Sequence, residues 1–310
     1  MKYIKKIFEN PYRLFSFLAY KGCFNWLSDE TYLKLMYRAS LNEKLDLENP
    51  LTYNEKIQWL KLYDRKPQYT DMVDKYEVRK YIAKMIGEEY LIPIINMWDN
   101  VEDIDFSKLP NKFVLKCTHD SGGLIICKDK SKLNIEETKQ KLRKYLKRNY
   151  FYVGREWPYK NVKPRIICEE LLEDKDSSEL RDYRFFCFNG EPKFITVDFS
   201  IVDKTKTRRN VYDLDWNLLD VRISYDQEMN YIVKPPRNLD EMIKLSKILS
   251  SNLPHARIDF YNINKTIYFG EITLYHQSGL GNISPKCFDK QMAEWLELPN
   301  TVRENVIYER

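Results

Sequence analysis

The chain has 310 residues, 43% hydrophobic and 14% aromatic, which excludes a disordered polymer and allows two or three subdomains around a substantial core. Its net charge of +5, from 51 basic and 46 acidic residues, is modest and dispersed, so composition does not call for a nucleic-acid partner. Six cysteines without a Cys-x-x-Cys pair and only three histidines argue for a reducing cytoplasm and against a dedicated zinc site, and no apolar run has the length of a membrane span.

In residues 1–10, Tyr3, Ile4, Ile7 and Phe8 share one helical face and Lys2, Lys5 and Lys6 the other. Such a segment can make weak peripheral contact with the inner face of an anionic membrane, or pack on the core with the aromatic run through Phe15, Phe17, Leu18 and Trp26. It has neither the apolar core nor the cleavage site of a secretory signal. Helix is expected through residue 66, with Thr52 and Glu55 forming a capping box before Ile57, Leu60 and Tyr63. Residues 1–66 therefore read as a helical accessory region. Pro67 marks a boundary, and the spacing predicts one helix over 71–86, closed by Gly87, before β structure begins at 91–95.

Glycine is scarce, with nine in the chain, yet Gly122 and Gly123 are adjacent. They follow the expected strand 113–117 through Thr118, His119, Asp120 and Ser121, and a second strand resumes at Leu124. This is a hairpin tip whose backbone N–H groups can fold over phosphates, with Lys116 beneath, although a plain turn has the same pattern. Asn134 opens a helix with a basic face through Lys139, Lys141, Arg143, Lys144, Lys147 and Arg148, which a solvated surface explains. Residues 67–165 form the expected first subdomain.

The second subdomain, 166–295, is read as β-rich, with a tail over 296–310. Ile166-Ile167-Cys168-Glu169-Glu170-Leu171-Leu172 is an apolar strand running into a polar pair, a place where backbone groups and side chains can read an adenine. Asn189-Gly190 is a two-residue hairpin signal, and 238–249 is a capped helix. Arg257-Ile258-Asp259-Phe260-Tyr261 and Phe269-Gly270-Glu271-Ile272-Thr273 then alternate around Asn262-Ile263-Asn264-Lys265. With the turn centred on Lys265, Asp259 faces Glu271, with Cβ atoms about 5 Å apart. Two carboxylates there repel unless a cation lies between them, and hard oxygens on a rigid hairpin suit Mg²⁺ carrying phosphates. Arg257 shares their face; ordinary charges on a solvated strand give the same pattern. The mixture is α+β with antiparallel sheets.

The order of a lysine strand with a glycine loop, an apolar strand ending in Glu-Glu, Arg-x-Asp and a downstream Glu resembles the ATP-grasp superfamily. Asp74-Lys75 is similar to the segment that carries its first nucleotide-binding lysine. More specifically, Asn54-Glu55-Lys56-Ile57-Gln58-Trp59-Leu60-Lys61, the run 116–123, Asp182-Tyr183-Arg184-Phe185 and Glu271-Ile272-Thr273 with His276 resemble the TupA-like ATP-grasp proteins of surface-polysaccharide gene clusters, over roughly residues 30–290. The resemblance implies two α+β subdomains clamping ATP, with a helical N-terminal extension. It places Lys75 and Lys116 on the ATP phosphates and Ser121, Gly122 and Gly123 in a lid. It also places Glu169, Glu170 and Leu172 around the adenine, and Asp182 at the ribose. Asp259, Glu271 and Thr273 would hold Mg²⁺, while Arg257 and Lys116 stabilise the transferred phosphoryl group. Thr273 stands where many such ligases have Asn, which leaves two-metal coordination open.

The implied activity is an ATP- and Mg²⁺-dependent, ADP-forming carboxylate–amine ligase working through an acyl phosphate. It would join an amino acid or small amine to a uronic acid of a capsular, O-antigen or teichuronic polysaccharide or its lipid-linked precursor. His119, Arg184, Lys193 and His276 are candidates for holding the acidic sugar. A kinase on the same fold is an alternative. So is a glycosyltransferase, because Asp103-Ile104-Asp105, Asp174-Lys175-Asp176 and Asp213-Leu214-Asp215 match the Asp-x-Asp metal signature, and so is a non-catalytic ATP-binding assembly protein.

Overall fold

The computed structural model describes residues 11–174, 180–199, 207–228 and 233–300. The amphipathic segment 1–10, Asp176 and the tail beyond 300 lie outside the described residues. Among the described residues, α1 (Tyr12–Ala19), α2 (Asp29–Leu41) and α3 (Tyr53–Tyr63) come first. The capping box at Thr52 and Glu55 forms as expected. Helices α1 and α2 share a small core with Leu45, Leu47 and Leu62. Helix α3 does not stay in that accessory layer, since Tyr53, Ile57 and Leu60 enter the main core.

The stretch expected as one helix over 71–86 is two, α4 (Gln68–Val73) and α5 (Val78–Met85). The break falls at Asp74, which is extended at φ −75°, ψ 115°. Asp74 Oδ1 accepts from the backbone N–H groups of Tyr76 and Glu77 at 2.8 and 3.3 Å, a local cap that competes with the helical ladder. Lys75 sits in the break.

Strands β1 (Ile94–Trp98), β2 (Phe113–Cys117), β3 (Leu124–Cys127) and β4 (Ile166–Glu170) form one antiparallel sheet in the order β1-β4-β2-β3. One face carries Phe113, Leu115, Cys117 and Cys168, packed with Leu142 of α6 (Ile135–Leu146). Helix α6 is capped at Asn134, as its sequence predicts. A short helix α7 (Phe151–Gly154) follows. The alternation of β2 and β4 turns Lys116 and Glu169 to the other face, away from that core.

The second sheet contains β5 (Asp182–Phe188), β6 (Glu191–Phe199), β7 (Arg208–Tyr212) and β8 (Leu218–Leu219); β9 (Arg222–Ile223) lies beside it. After helix α8 (Leu239–Ser250) come β10 (His255–Ile263) and β11 (Thr266–Thr273), giving the order β11-β10-β5-β6-β7-β8. The Asn189-Gly190 turn forms with φ of 48° and 82°. Phe185, Ile195, Val197, Ile258 and Phe260 face α8 through Met242, Leu245 and Leu249 in the main core. The last described elements are β12 (Ile283–Ser284), paired to β9, and helix α9 (Lys286–Trp295), which is not among those expected from the sequence.

The β10–β11 hairpin reaches its expected register by an unexpected route. Its turn is the pair Asn264–Lys265, both left-handed at φ 52° and 71°, between the partners Ile263 and Thr266. Such a turn alone would place Gly270 opposite Asp259. The register shifts between Asp259 and Phe260, so Gly270 is an extra residue and Asp259 pairs with Glu271. A Cβ on Gly270 would lie 3.1 Å from Asp259 O, so the bulge favours glycine.

All six cysteines are unbridged, and Cys117, Cys127, Cys168 and Cys187 are buried. Among the described residues no helix is long and apolar enough to cross a membrane.

Candidate nucleotide and metal site

A cleft of about 220 Å³ lies between the two sheets. The first sheet and its hairpin tip contribute Lys116, Glu169, Ser121, Gly122, Gly123 and Leu124; the second contributes Asp182, Asp259, Tyr261, Phe269 and Glu271; Lys75 enters from the helix break. This volume is below the roughly 300–1,000 Å³ of a typical small-molecule site. Both of its lysines are already paired. Lys116 Nζ lies 2.6 Å from Glu169 Oε2, and Lys75 Nζ donates to Asp120 O at 2.6 Å. Burial holds Lys75 below its ordinary pKa, with Glu271 and Asp120 opposing and Lys116 adding to the shift. Gly122 is at φ 119°, and a Cβ on Gly123 would come within 2.9 Å of Cys117 Cβ, so the tip needs both glycines.

On the second sheet the cation between the two carboxylates is Arg257. Its Nη2 lies 2.6 Å from Asp259 Oδ2 and 2.6 Å from Glu271 Oε1, and its Nε donates to Asp259 Oδ1 at 2.7 Å. Burial pushes the Asp259 carboxyl up to about 7, helped by the charge of Glu271 and opposed by Arg257 and Arg184. For Glu271, burial in the cleft walls is outweighed by Arg257, Lys75 and Arg184, which hold it below the usual range. Thr273 Oγ1 donates to Glu271 Oε1 at 3.2 Å. Among the described residues no group of three or more His, Cys, Asp or Glu could cage a metal. Two paired carboxylates and a hydroxyl fit Mg²⁺, which keeps water and phosphate oxygens in its shell.

Two members of this charged face were missed in the sequence, Asp198 and Arg209. Arg209 grips Asp198 through Nε at 2.6 Å and Nη2 at 2.7 Å. Arg184 bonds Asp198, bonds Asp182 at 2.7 Å and approaches Asp259 at 3.5 Å. Opposite charges thus alternate across strands β11, β10, β5, β6 and β7. In β6 the signal was Thr196 and Asp198, two residues apart among apolar neighbours, but the pairing with Arg209 is long-range.

The four residues expected at an acidic sugar are not gathered in the cleft. His276 is buried, with Nδ1 2.9 Å from Arg257 Nη1 and Nε2 3.3 Å from Arg209 Nη1. Burial and these arginines hold its pKa well below the ordinary value, so it is neutral. Arg184 belongs to the same charge row. His119 is buried with Nε2 against Tyr145 O at 3.2 Å. Lys193 is the extra residue of a bulge between Phe194 and Pro192. Of the expected adenine residues, Glu169 lines the cleft, while Glu170 is exposed and neither it nor Leu172 lines it. Asp105 caps a short turn through Ser107 N, and Asp213 is tied to Asn217, so these Asp-x-Asp residues have local structural partners.

Helix α3 fastens the loop that follows β11. Asn54 Nδ2 donates to Gly281 O at 2.8 Å, and Gln58 Nε2 to Ser278 O and Gly279 O at 2.9 and 2.7 Å. Lys61 Nζ donates to Gly154 O, Ser278 O and Ser278 Oγ at 2.8, 2.8 and 2.9 Å. Gln277, Ser278 and Gly279 are successively left-handed, at φ 48°, 58° and 64°, a strained path that these bonds hold.

The sequence model of the TupA-like ATPgrasp family matches residues 55–297. Among solved structures, the chain is similar to the D-alanine–D-alanine ligase of Bacillus anthracis complexed with ATP, at 17% identity over 78% of this chain and 66% of that one, with a TM-score of 0.43. It is also similar to the D-alanine–D-alanine ligase of Helicobacter pylori, at 17% identity, 79% and 69% coverage and a TM-score of 0.42. A third is the ATP-grasp ligase PsnB complexed with minimal precursor, Mg and ADP, at 9% identity, 71% and 57% coverage and a TM-score of 0.37. The chain spans just under two thirds of the length of the first. No match is found among curated proteins. Because the family's sequence model runs from α3 through every residue of the cleft to just beyond α9, this protein belongs to the TupA-like ATP-grasp family.

Proposed function

We propose that the protein is an ATP- and Mg²⁺-dependent carboxylate–amine ligase that releases ADP and phosphate. Its acceptor is the carboxylate of a uronic acid in a surface polysaccharide or lipid-linked precursor, and its donor is an amino acid or small amine. The observation that carries this reading is convergence: two lysines from separate segments and a glycine tip face a paired Asp259 and Glu271 across one cleft. The polysaccharide substrate rests on the sequence resemblance alone.

Hydroxide is a poor leaving group, so a carboxylate must be activated before an amine can displace one of its oxygens. A carboxylate oxygen attacks the γ-phosphorus and ADP departs; the amine nitrogen then attacks the acyl carbon, and phosphate leaves with that oxygen. Lys75 and Lys116 orient the phosphates, and Arg257 offsets charge on the transferred group. Asp259 and Glu271 would hold Mg²⁺, which would supply further neutralisation of phosphate charge. The tip at Ser121, Gly122 and Gly123 excludes water, which would otherwise destroy the acyl phosphate.

Incubation with ATP, a uronate-containing glycan and a panel of amines is expected to release ADP and phosphate only when acceptor and amine are both present. AMP and pyrophosphate would overturn the mechanism. Thermal stabilisation by UDP-sugars without any by ATP would favour a glycosyltransferase.

The raised Asp259 pKa gives a pH test. Metal ligation requires the ionised carboxylate, so Mg²⁺-dependent ATP affinity is expected to strengthen as pH rises through about 7, with a proton released on binding. Calorimetry in two buffers of different ionisation enthalpy measures that proton. Equal heats in both buffers would show that Asp259 is already ionised.

A further inference from the structure

Away from the cleft, residues 12–26 carry an unusual load of exposed apolar side chains. Tyr12, Leu14, Phe17, Tyr20 and Trp26 make up half of the strongly exposed large hydrophobic residues among those described. Phe17, Tyr20 and Trp26 are 58%, 60% and 78% exposed. Arg13, Leu14, Phe17 and Tyr20 follow the outward arc of α1, while Phe15 and Ala19 turn inward to the core of Tyr32, Leu33 and Met36. Single exposed hydrophobic residues need no explanation, but a group of them marks a contact surface.

The exposure of Trp26 is built into the fold. Arg155, buried against the ring of Tyr32 at 4.4 Å, donates from Nη2 to the carbonyls of Phe24, Asn25 and Leu27 at 3.1, 3.0 and 3.3 Å. Phe24 stacks on Phe15 with ring centroids 4.6 Å apart. The indole N–H is tied to Cys23 O at 3.1 Å. The backbone on both sides of Trp26 is therefore pinned and its ring is held outward.

Charge identifies the occupant. Residues 11–27 contain no Asp or Glu and carry Arg13 and Lys21; over residues 1–27 there are five basic residues and one acidic residue, Glu9. Lys21 Nζ lies 6.0 Å from the Phe17 ring centroid, so a cation sits beside the aromatic face. A second copy of the chain docking on this surface by two-fold symmetry would bring the same cations together without carboxylates to pair them. An anionic lipid layer meets both demands, taking aromatic rings at its apolar–polar boundary and basic groups at its phosphates.

We infer that the face of Phe17, Tyr20 and Trp26 is a peripheral docking surface for anionic phospholipid membranes. This does not depend on the ligase reading, and it places the contact on residues 12–26 rather than on 1–10 alone.

The test uses vesicles of phosphatidylglycerol mixed with phosphatidylcholine, and pure phosphatidylcholine as control. The whole chain is expected to sediment with the anionic vesicles at low salt and to be released at about 0.5 M salt, where charges are screened within a few ångströms. Phe17→Ser combined with Trp26→Ser is expected to lower partitioning at least about tenfold, with an unchanged melting temperature, because each ring loses an apolar seat. Brominated lipid should quench Trp fluorescence in the wild type and after deletion of residues 1–10, but not in Trp26→Phe, which keeps sedimenting. Three results would each overturn the proposal: wild-type partitioning in the double serine variant, no preference for anionic vesicles, or a wild-type dimer in light scattering that the serine variant makes monomeric.

Discussion

Glu271→Gln is expected to reduce turnover by about 10³-fold while shifting the melting temperature by no more than about 3 °C. The carboxylate is half-exposed in the cleft, and removing its charge leaves Arg257 bound through two nitrogens to Asp259. The stability of Arg257 is thus preserved while half of the metal-binding pair is lost. Asp259→Asn behaves differently. It strips a buried guanidinium of its bidentate partner, so it should cost several kcal/mol of stability, about 3–5, as well as activity. Paired kinetic and thermal measurements on the two variants separate these roles. Equal destabilisation by both would show that Glu271 is part of the scaffold, and near-normal turnover in Glu271→Gln would remove it from the metal site.

Lys61→Met is expected to cost about 3–5 kcal/mol, measured by chemical denaturation, although Lys61 does not line the cleft. Gly154 O, Ser278 O and Ser278 Oγ each lose the bond from Lys61, with Gln58 Nε2 still donating to Ser278 O, and buried Glu156 loses its nearby cation. Burial already lowers the Lys61 pKa to about 7 and raises that of Glu156 to about 7, each opposed by the other's charge. Without Lys61, Glu156 is pushed further above its unfolded value. A carboxyl raised in the folded state favours folding most at low pH and loses that advantage as pH rises, so the deficit of Lys61→Met should shrink between pH 7 and pH 5. Adding Glu156→Gln should recover part of it at pH 7. A deficit independent of pH would show that the loop bonds alone matter.

The features legible in the sequence were those set by local chemistry. Alternation in β10 and β11 announced the hairpin of Asp259 and Glu271, paired glycines announced the tip at Gly122, and Thr52 with Glu55 announced the start of α3. What escaped depended on partners distant in sequence or on a single backbone step. The break at Asp74 arises because a side-chain cap displaces helical bonds within an otherwise helical pattern. The bulge at Gly270 corrects a turn whose centre lies half a residue from where the pairing requires it. The sequence places 53–63 in an accessory region, yet Lys61 is fully buried and serves carbonyls more than 90 residues away in sequence. The same blindness hid the Asp198–Arg209 pair, which needs β6 and β7 side by side before its charges meet.

The acyl-phosphate route predicts where one atom goes. With a uronate acceptor labelled with ¹⁸O in its carboxylate, turnover with ATP and an accepted amine should release phosphate carrying one ¹⁸O, visible as an isotope shift in the ³¹P spectrum, together with unlabelled ADP. Phosphate released without label would contradict the account, because the oxygen displaced by the amine would then never have been bonded to phosphorus.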